Sequence, residues 1–71
     1  MPNENLSTRI AQLRKESGLS QSQLGLKFGL SQDAISNMER GRRTTTTEKI
    51  IEIAKYFNVT TDYLLGLSDE R

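Results

Sequence analysis

The chain has 71 residues, the size of one small domain, and at this size about 60% of the unfolded surface is buried on folding. It contains no cysteine and no histidine, which excludes disulfide cross-links and the common histidine and cysteine metal sites. The net charge is +1, but most basic residues lie in the first 49 positions and the last part is acidic, so one face is expected to be basic.

The first predicted helix covers residues 6–17. Its apolar residues Leu6, Ile10 and Leu13 recur at helical spacing, and Gly18 follows at a position typical of a helix end. The pattern indicates an amphipathic helix with one face in the core.

Two short helices joined by a glycine turn follow, at residues 21–28 and 32–40. Ser20 and Ser31 stand at the N-cap positions, and Ser20 with Gln23 has the spacing of a capping box. Gly29 lies between the helices, where a left-handed conformation ends the first of them. The pattern predicts a helix-turn-helix, the motif that places its second helix in the major groove of DNA.

A loop rich in arginine and threonine leads into a fourth helix that ends near Phe57. Its N-cap is Thr45 or Thr46: Thr45 forms a capping box with Glu48, Thr46 is an equal candidate, and the sequence does not choose. A short fifth helix is predicted after Thr60, which is its candidate cap.

These elements predict an all-α fold, a compact five-helix DNA-binding domain over residues 1–67 whose second and third helices form the helix-turn-helix. Residues 68–71 form a polar tail and a candidate start of a linker. No apolar run approaches the roughly 18 residues of a membrane span, and no signal peptide is evident, so we expect a cytoplasmic protein. No cofactor, metal, small-molecule ligand or enzyme activity is expected, because nothing resembles an assembled catalytic site.

The outer face of the third helix carries the residues expected to read DNA bases, although polar residues also occur on any surface helix. Glutamine and asparagine side chains pair with N6 and N7 of adenine, and serine can bond to either base type. We expect Asp33 to stabilise the N-terminal dipole of its own helix, the alternative being acceptance of a hydrogen bond from cytosine. The predicted base-reading residues are Gln32, Asp33, Ser36 and Asn37.

Residues around the motif are expected to contact DNA phosphates. Gln21 opens the second helix, where free N–H groups and the positive end of the dipole favour an anion. Three arginines flank Gly41 in the loop after the third helix, and phosphate neutralisation is a better interpretation for them than solubility alone. The predicted phosphate contacts are Gln21, Arg40, Arg42 and Arg43.

Three segments give the chain its resemblance to a known family: RIAQLRKESGLSQSQLG, FGLSQDAISNMERG and KIIEIAKYFNVTTDYLLG. With them the chain resembles the lambdoid-repressor and Cro type of helix-turn-helix domain, the bacterial and phage group called the Xre family, from about Arg9 to Gly66. The resemblance implies a domain that binds double-stranded operator DNA as a homodimer. We therefore expect a transcriptional regulator, most simply a repressor of phage, mobile-element or toxin–antitoxin type.

The resemblance also implies roles for single residues. It implies that Gln21 supports Gln32 and touches a phosphate, and that Arg14 and Glu39 form an ion pair between the first helix and the end of the third. Gly25 stands where the family usually has alanine, and we expect a close approach of the third helix to explain it. The implied dimer interface comprises Phe57, Asn58, Val59, Tyr63 and Leu67.

The competing hypothesis is a helical protein interaction module that docks a protein through its third helix and does not read DNA. The polar outer face of that helix and the arginine loop favour DNA, because a protein-binding groove would show aromatic or aliphatic anchors there.

Overall fold

The computed structural model describes residues 5–71, so the first four residues of the predicted domain lie outside the described part. Over this range the chain forms α1 (Leu6–Glu16), α2 (Gln21–Phe28), α3 (Gln32–Glu39), α4 (Thr47–Phe57) and α5 (Thr61–Leu65), and no strand. The predicted all-α, five-helix architecture is confirmed. None of these helices has the length and apolar character needed to cross a membrane.

Side-chain caps begin α2, α3 and α4 at predicted positions. The Ser20 hydroxyl accepts the N–H of Gln23 at 3.0 Å, and Gln23 Oε1 accepts the N–H of Ser20 at 2.8 Å, which completes the capping box. Ser31 caps α3 with its hydroxyl. In the threonine run Thr46 accepts the N–H of Lys49 at 3.2 Å, so Thr46 rather than Thr45 begins α4.

Two glycines shape the turn between α2 and α3. Gly29 has a φ of 67°, the left-handed conformation predicted for it. Gly25 is buried inside α2, where a Cβ would overlap the carbonyl oxygen of Leu30 and lie 3.3 Å from that of Ser31. The segment that approaches Gly25 is therefore the turn before α3, and not α3 itself as expected.

The helices pack around one hydrophobic core. Helix α1 contacts α3 and α5, α2 contacts α3 and α4, and α4 contacts α5. At the contact of α2 with α4 the rings of Phe28 and Tyr56 meet edge to face, with centroids 5.7 Å apart. The buried apolar residues are Ile10, Leu13, Leu24, Phe28, Ile35, Met38, Ile53, Ala54, Tyr63 and Leu64.

Arg9 is a charged residue inside this core, which the sequence analysis did not predict. Its side chain is 2% exposed and lies over the Tyr63 ring, 4.1 Å from guanidinium carbon to ring centroid. It donates to the carbonyl of Tyr63 at 2.8 Å and to that of Ser68 at 2.5 Å, and it forms an ion pair with Asp69 at 2.7 Å. These partners compensate the guanidinium for the loss of water.

Residues 68–71, predicted to be a polar tail and a candidate start of a linker, are packed against the domain. Arg71 donates two hydrogen bonds to the Glu16 carboxylate, at 2.9 and 2.8 Å, and these bonds lower the pKa of Glu16. The Thr60 N–H donates to the carbonyl of Arg71 at 3.1 Å. A linker that began at residue 68 would have to release these contacts.

Candidate nucleic-acid interface

The predicted base-reading residues lie together on the face of α3 that points away from the core. Ile35 and Met38 occupy the opposite face and are buried, which fixes the rotation of the helix about its axis. The outer face carries two exposed residues, Gln32 and Asp33, and two half-buried ones, Ser36 and Asn37.

Gln32 is held from α2 by Ser22, whose hydroxyl donates to Gln32 Oε1 at 3.1 Å. The implied support of Gln32 by Gln21 is wrong, because Gln21 Nε2 instead donates to Glu39 Oε1 at 3.1 Å. Sequence reasoning missed Ser22. The signal available was a hydroxyl in the first turn of α2, beside the residues that open α3.

The implied ion pair between α1 and α3 is present and forms two bonds. Arg14 Nε lies 2.6 Å from Glu39 Oε2 and Arg14 Nη2 lies 3.0 Å from Oε1, with the side chains 12% and 8% exposed. Arg14 Nη1 also donates to the Leu19 carbonyl at 2.9 Å. Hydrogen bonding to Glu39 raises the pKa of Arg14, while burial opposes the shift. The pair therefore braces the end of α3 against α1 and the start of α2.

The arginine loop, residues 40–43, is tied to the outer face of α3. The Asn37 carbonyl accepts the backbone N–H of Arg42 at 2.9 Å and of Arg43 at 3.3 Å. Gly41 reverses the chain with a φ of 74°. Arg40, Arg42 and Arg43 are exposed, and none of the salt bridges formed by residues 5–71 involves them. Their guanidinium groups are available to an external anion next to the polar face of α3.

The residues implied for the dimer interface differ in exposure. Leu67 is 76% exposed, and Asn58 is exposed at the end of α4 with a φ of 58°. Phe57 and Val59 are half-buried and pack against the core. The assignment of Tyr63 to this interface has to be corrected. Its side chain is 5% exposed, because its ring packs into the core with arginine side chains over it. Its ring stabilises a single copy of the domain and offers little surface to a second one.

Exposed apolar side chains lie away from α3. Over the described residues they belong to α2, α4, α5 and the segment after α5, namely Leu26, Ile51, Tyr56, Leu65 and Leu67. The outer face of α3 therefore has no aromatic or aliphatic anchor of the kind that dominates binding to another protein.

Comparison with known proteins agrees with this geometry. A family model described as Helix-turn-helix matches residues 10–64. The HTH-type transcriptional regulator ImmR of Bacillus subtilis (strain 168) is 32% identical over 62 residues, 87% of this chain and 49% of that protein, so this chain spans about half of its length. The uncharacterized HTH-type transcriptional regulator y4dJ of Sinorhizobium fredii is 35% identical over 65 residues, 92% of this chain and 84% of that protein.

Two solved structures of repressor domains have a similar fold. The crystal structure of the P22 c2 repressor in complex with synthetic operator 9T superposes with a TM-score of 0.83 at 31% identity, covering 92% of this chain and 98% of that one. The solution structure of the DNA-binding domain of the P22 c2 repressor has a TM-score of 0.81 at 32% identity, covering 100% of this chain and 96% of that one.

Proposed function

Since this chain belongs to the helix-turn-helix family of transcriptional regulators, we propose that it binds a specific double-stranded DNA operator through the outer face of α3. One observation carries the proposal: a polar helix face without apolar anchors lies beside three exposed arginines that have no carboxylate partner among residues 5–71. A polar helix face recognises base edges, and exposed arginines bind phosphates. The similar P22 c2 repressor was solved with a synthetic operator, which supports the same role here.

The proposal assigns a task to each group of residues. The amide, hydroxyl and carboxylate groups of α3 read bases in the major groove, whereas the first turn of α2 and the arginine loop contact phosphates and set the position of α3. The base-reading group is Gln32, Asp33, Ser36 and Asn37, and the phosphate group is Gln21, Arg40, Arg42 and Arg43.

We further propose that two copies bind an inverted repeat, each placing α3 in one of two successive major grooves, about 34–36 Å apart. The surface for this contact is the exposed Leu67 and Asn58 with the accessible edges of Phe57 and Val59. Because this apolar area is small, the protein is expected to be largely monomeric without DNA. A cytoplasmic repressor of a phage, a mobile element or a toxin–antitoxin system fits this description.

Two measurements test the proposal. Selection from a random duplex pool should return an inverted repeat. A salt titration with an unrelated duplex should show affinity falling steeply with salt, as displacement of counterions requires. A variant with Arg40, Arg42 and Arg43 changed to alanine is the control and should lose most of the salt dependence. Failure to bind any duplex at low salt would refute the proposal and favour a protein interaction module.

A further inference from the structure

Residues 68–71 return from the end of α5 to α1 and are held there by two anchors. The inner anchor is the buried Arg9, which forms an ion pair with Asp69 at 2.7 Å. The outer anchor is Glu16, whose carboxylate accepts two hydrogen bonds from Arg71 at 2.9 and 2.8 Å. We call residues 68–71 the clasp, because they fasten the segment after α5 to the first helix.

The outer part of the clasp lies against the turn between α4 and α5. The Thr60 N–H donates to the carbonyl of Arg71 at 3.1 Å, and the Thr60 hydroxyl donates to the carbonyl of Glu70 at 3.4 Å. Asn58 and Val59 directly precede Thr60 in this turn. The clasp therefore borders the surface that the proposed function gives to a second copy of the chain.

The inner part of the clasp fixes Leu67, which belongs to the same surface and is 76% exposed. The Leu67 N–H donates to the carbonyl of Asp62 at 2.8 Å, and the carbonyl of the next residue, Ser68, accepts from Arg9 at 2.5 Å. The backbone is thus held on both sides of an exposed leucine. A group that is ordered before binding loses less conformational entropy when a partner arrives.

The exposed residues of the proposed surface are too few to pair two copies by themselves. A stable interface takes about 800 Å² from each partner, or about 20–30 residues. Leu67 and Asn58 are the exposed members of the proposed surface, and residues 69–71 of the clasp are exposed beside it. Because a twofold contact uses the same surface of both copies, whatever the clasp adds is added twice.

We propose, on the basis of the proposed function, that the clasp is part of the surface that meets a second copy on the operator. Glu16 and Arg71 are then positioning residues for this contact. Neither belongs to the outer face of α3 or to the arginine loop, so they act on the pairing of two copies. Their side chains are 44% and 46% exposed, and breaking such an ion pair costs the fold little.

A charge reversal tests the proposal in the full chain. Glu16→Arg replaces attraction by repulsion and should release Arg71 from Thr60, which hydrogen exchange at the Thr60 N–H measures. The ratio of the affinity for the inverted repeat to the affinity for one half-site measures contact between two copies. This ratio should fall about three- to tenfold, the cost of ordering roughly one long side chain at the interface.

Two further variants separate the clasp from the charge change. Glu16→Arg with Arg71→Glu restores the attraction at the net charge of the wild type, and should restore both the ratio and the slow exchange at Thr60. Glu52→Arg is the matched control, because it makes the same charge change at an exposed glutamate that is also in an ion pair, with Lys49. It should leave the ratio unchanged.

Each outcome supports or overturns the inference. A ratio that falls in Glu16→Arg and recovers in the double variant supports it. The inference is overturned, and the proposed function stands, if the ratio stays constant, if it falls without recovery, or if it falls equally in Glu52→Arg. Equal exchange at Thr60 in Glu16→Arg and wild type shows that Glu16 does not hold the clasp and also overturns it. A wild-type ratio without any sign of contact between copies overturns the inference and the proposed dimer together, while sequence-specific binding to one half-site is judged separately.

Discussion

Replacement of Arg14 by methionine should destabilise the domain strongly. The change leaves the Glu39 carboxylate, 8% exposed, with the amide of Gln21 but no cation, and it leaves the Leu19 carbonyl without its guanidinium donor. Removing one partner of a buried pair costs about 3–5 kcal/mol, and because this pair keeps slight contact with water we expect about 2–4 kcal/mol. The loss is a large part of the total stability of about 5–15 kcal/mol that is usual for a domain.

Thermal and urea unfolding followed by circular dichroism measure this loss. A domain of this size loses about 4–8 °C of melting temperature per kcal/mol, so a loss of about 2–4 kcal/mol in Arg14→Met should lower the midpoint by roughly 8–32 °C. The matched control is Lys49→Met, which breaks a 3.4 Å pair with Glu52 whose side chains are 31% and 54% exposed. Its effect should stay below about 1 kcal/mol.

The double variant Arg14→Met with Glu39→Met should recover part of the stability, because it removes the uncompensated buried charge and replaces the pair with apolar packing. If Arg14→Met unfolds no earlier than Lys49→Met, the pair does not brace α3 and the reasoning is refuted.

Three further predictions concern a helix end, a titration and the operator. Asn58→Ala should lose about 1–2 kcal/mol in urea unfolding because φ is 58° there, whereas Asn58→Gly should not; equal effects would exclude backbone conformation as the cause. Arg71 lowers the pKa of Glu16 in the folded protein. The stabilisation from this pair is therefore present at pH values above 4.5, the ordinary pKa of the carboxyl, and it is lost as the pH falls through the lower pKa of the folded state. An NMR titration of the carboxyl should have its midpoint below 4.5 and return toward it in Arg71→Ala, and an unaltered midpoint would count against the contact. Insertion of roughly five base pairs between the half-sites should abolish tight binding, since it rotates one half-site to the other side of the duplex; undiminished affinity would rule out the dimer.

The helices were predictable because their signals are local. The caps Ser20, Ser31 and Thr60 act on N–H groups three residues away, and Gly29 ends α2 through its own φ. Thr46 could not be separated from Thr45 because neighbouring threonines offer the same hydroxyl, and only the structure shows that Thr46 precedes the helix.

The contacts that could not be predicted involve residues whose partners are distant in the chain. Arg9 is three residues after Leu6 and shares its face of α1, so its burial was foreseeable, but its partners Tyr63, Ser68 and Asp69 were not. The same arrangement removes Tyr63 from the surface. No periodicity in the sequence contains this information, because it depends on where the last helix returns to the first.

In the candidate site, too, local features could be predicted from the sequence, whereas contacts between side chains of different helices could not. The polar outer face of α3 follows from helical spacing once Ile35 and Met38 are assigned to the core. The partner of Gln32 does not follow from spacing, because Gln21 and Ser22 are adjacent and the choice between them depends on the angle between α2 and α3.

The contrast between one base-reading residue and one phosphate residue tests the central claim most directly. On the selected operator Gln32→Ala should cost about 1–3 kcal/mol and relax preference at one base pair of each half-site. Arg43→Ala should weaken binding to all duplexes alike and lower the magnitude of the salt slope by about one for each phosphate that is no longer neutralised, or about two for a dimer. If Gln32→Ala instead reduces affinity for operator and random duplex equally and flattens the salt dependence, Gln32 contacts the backbone and α3 does not read the bases.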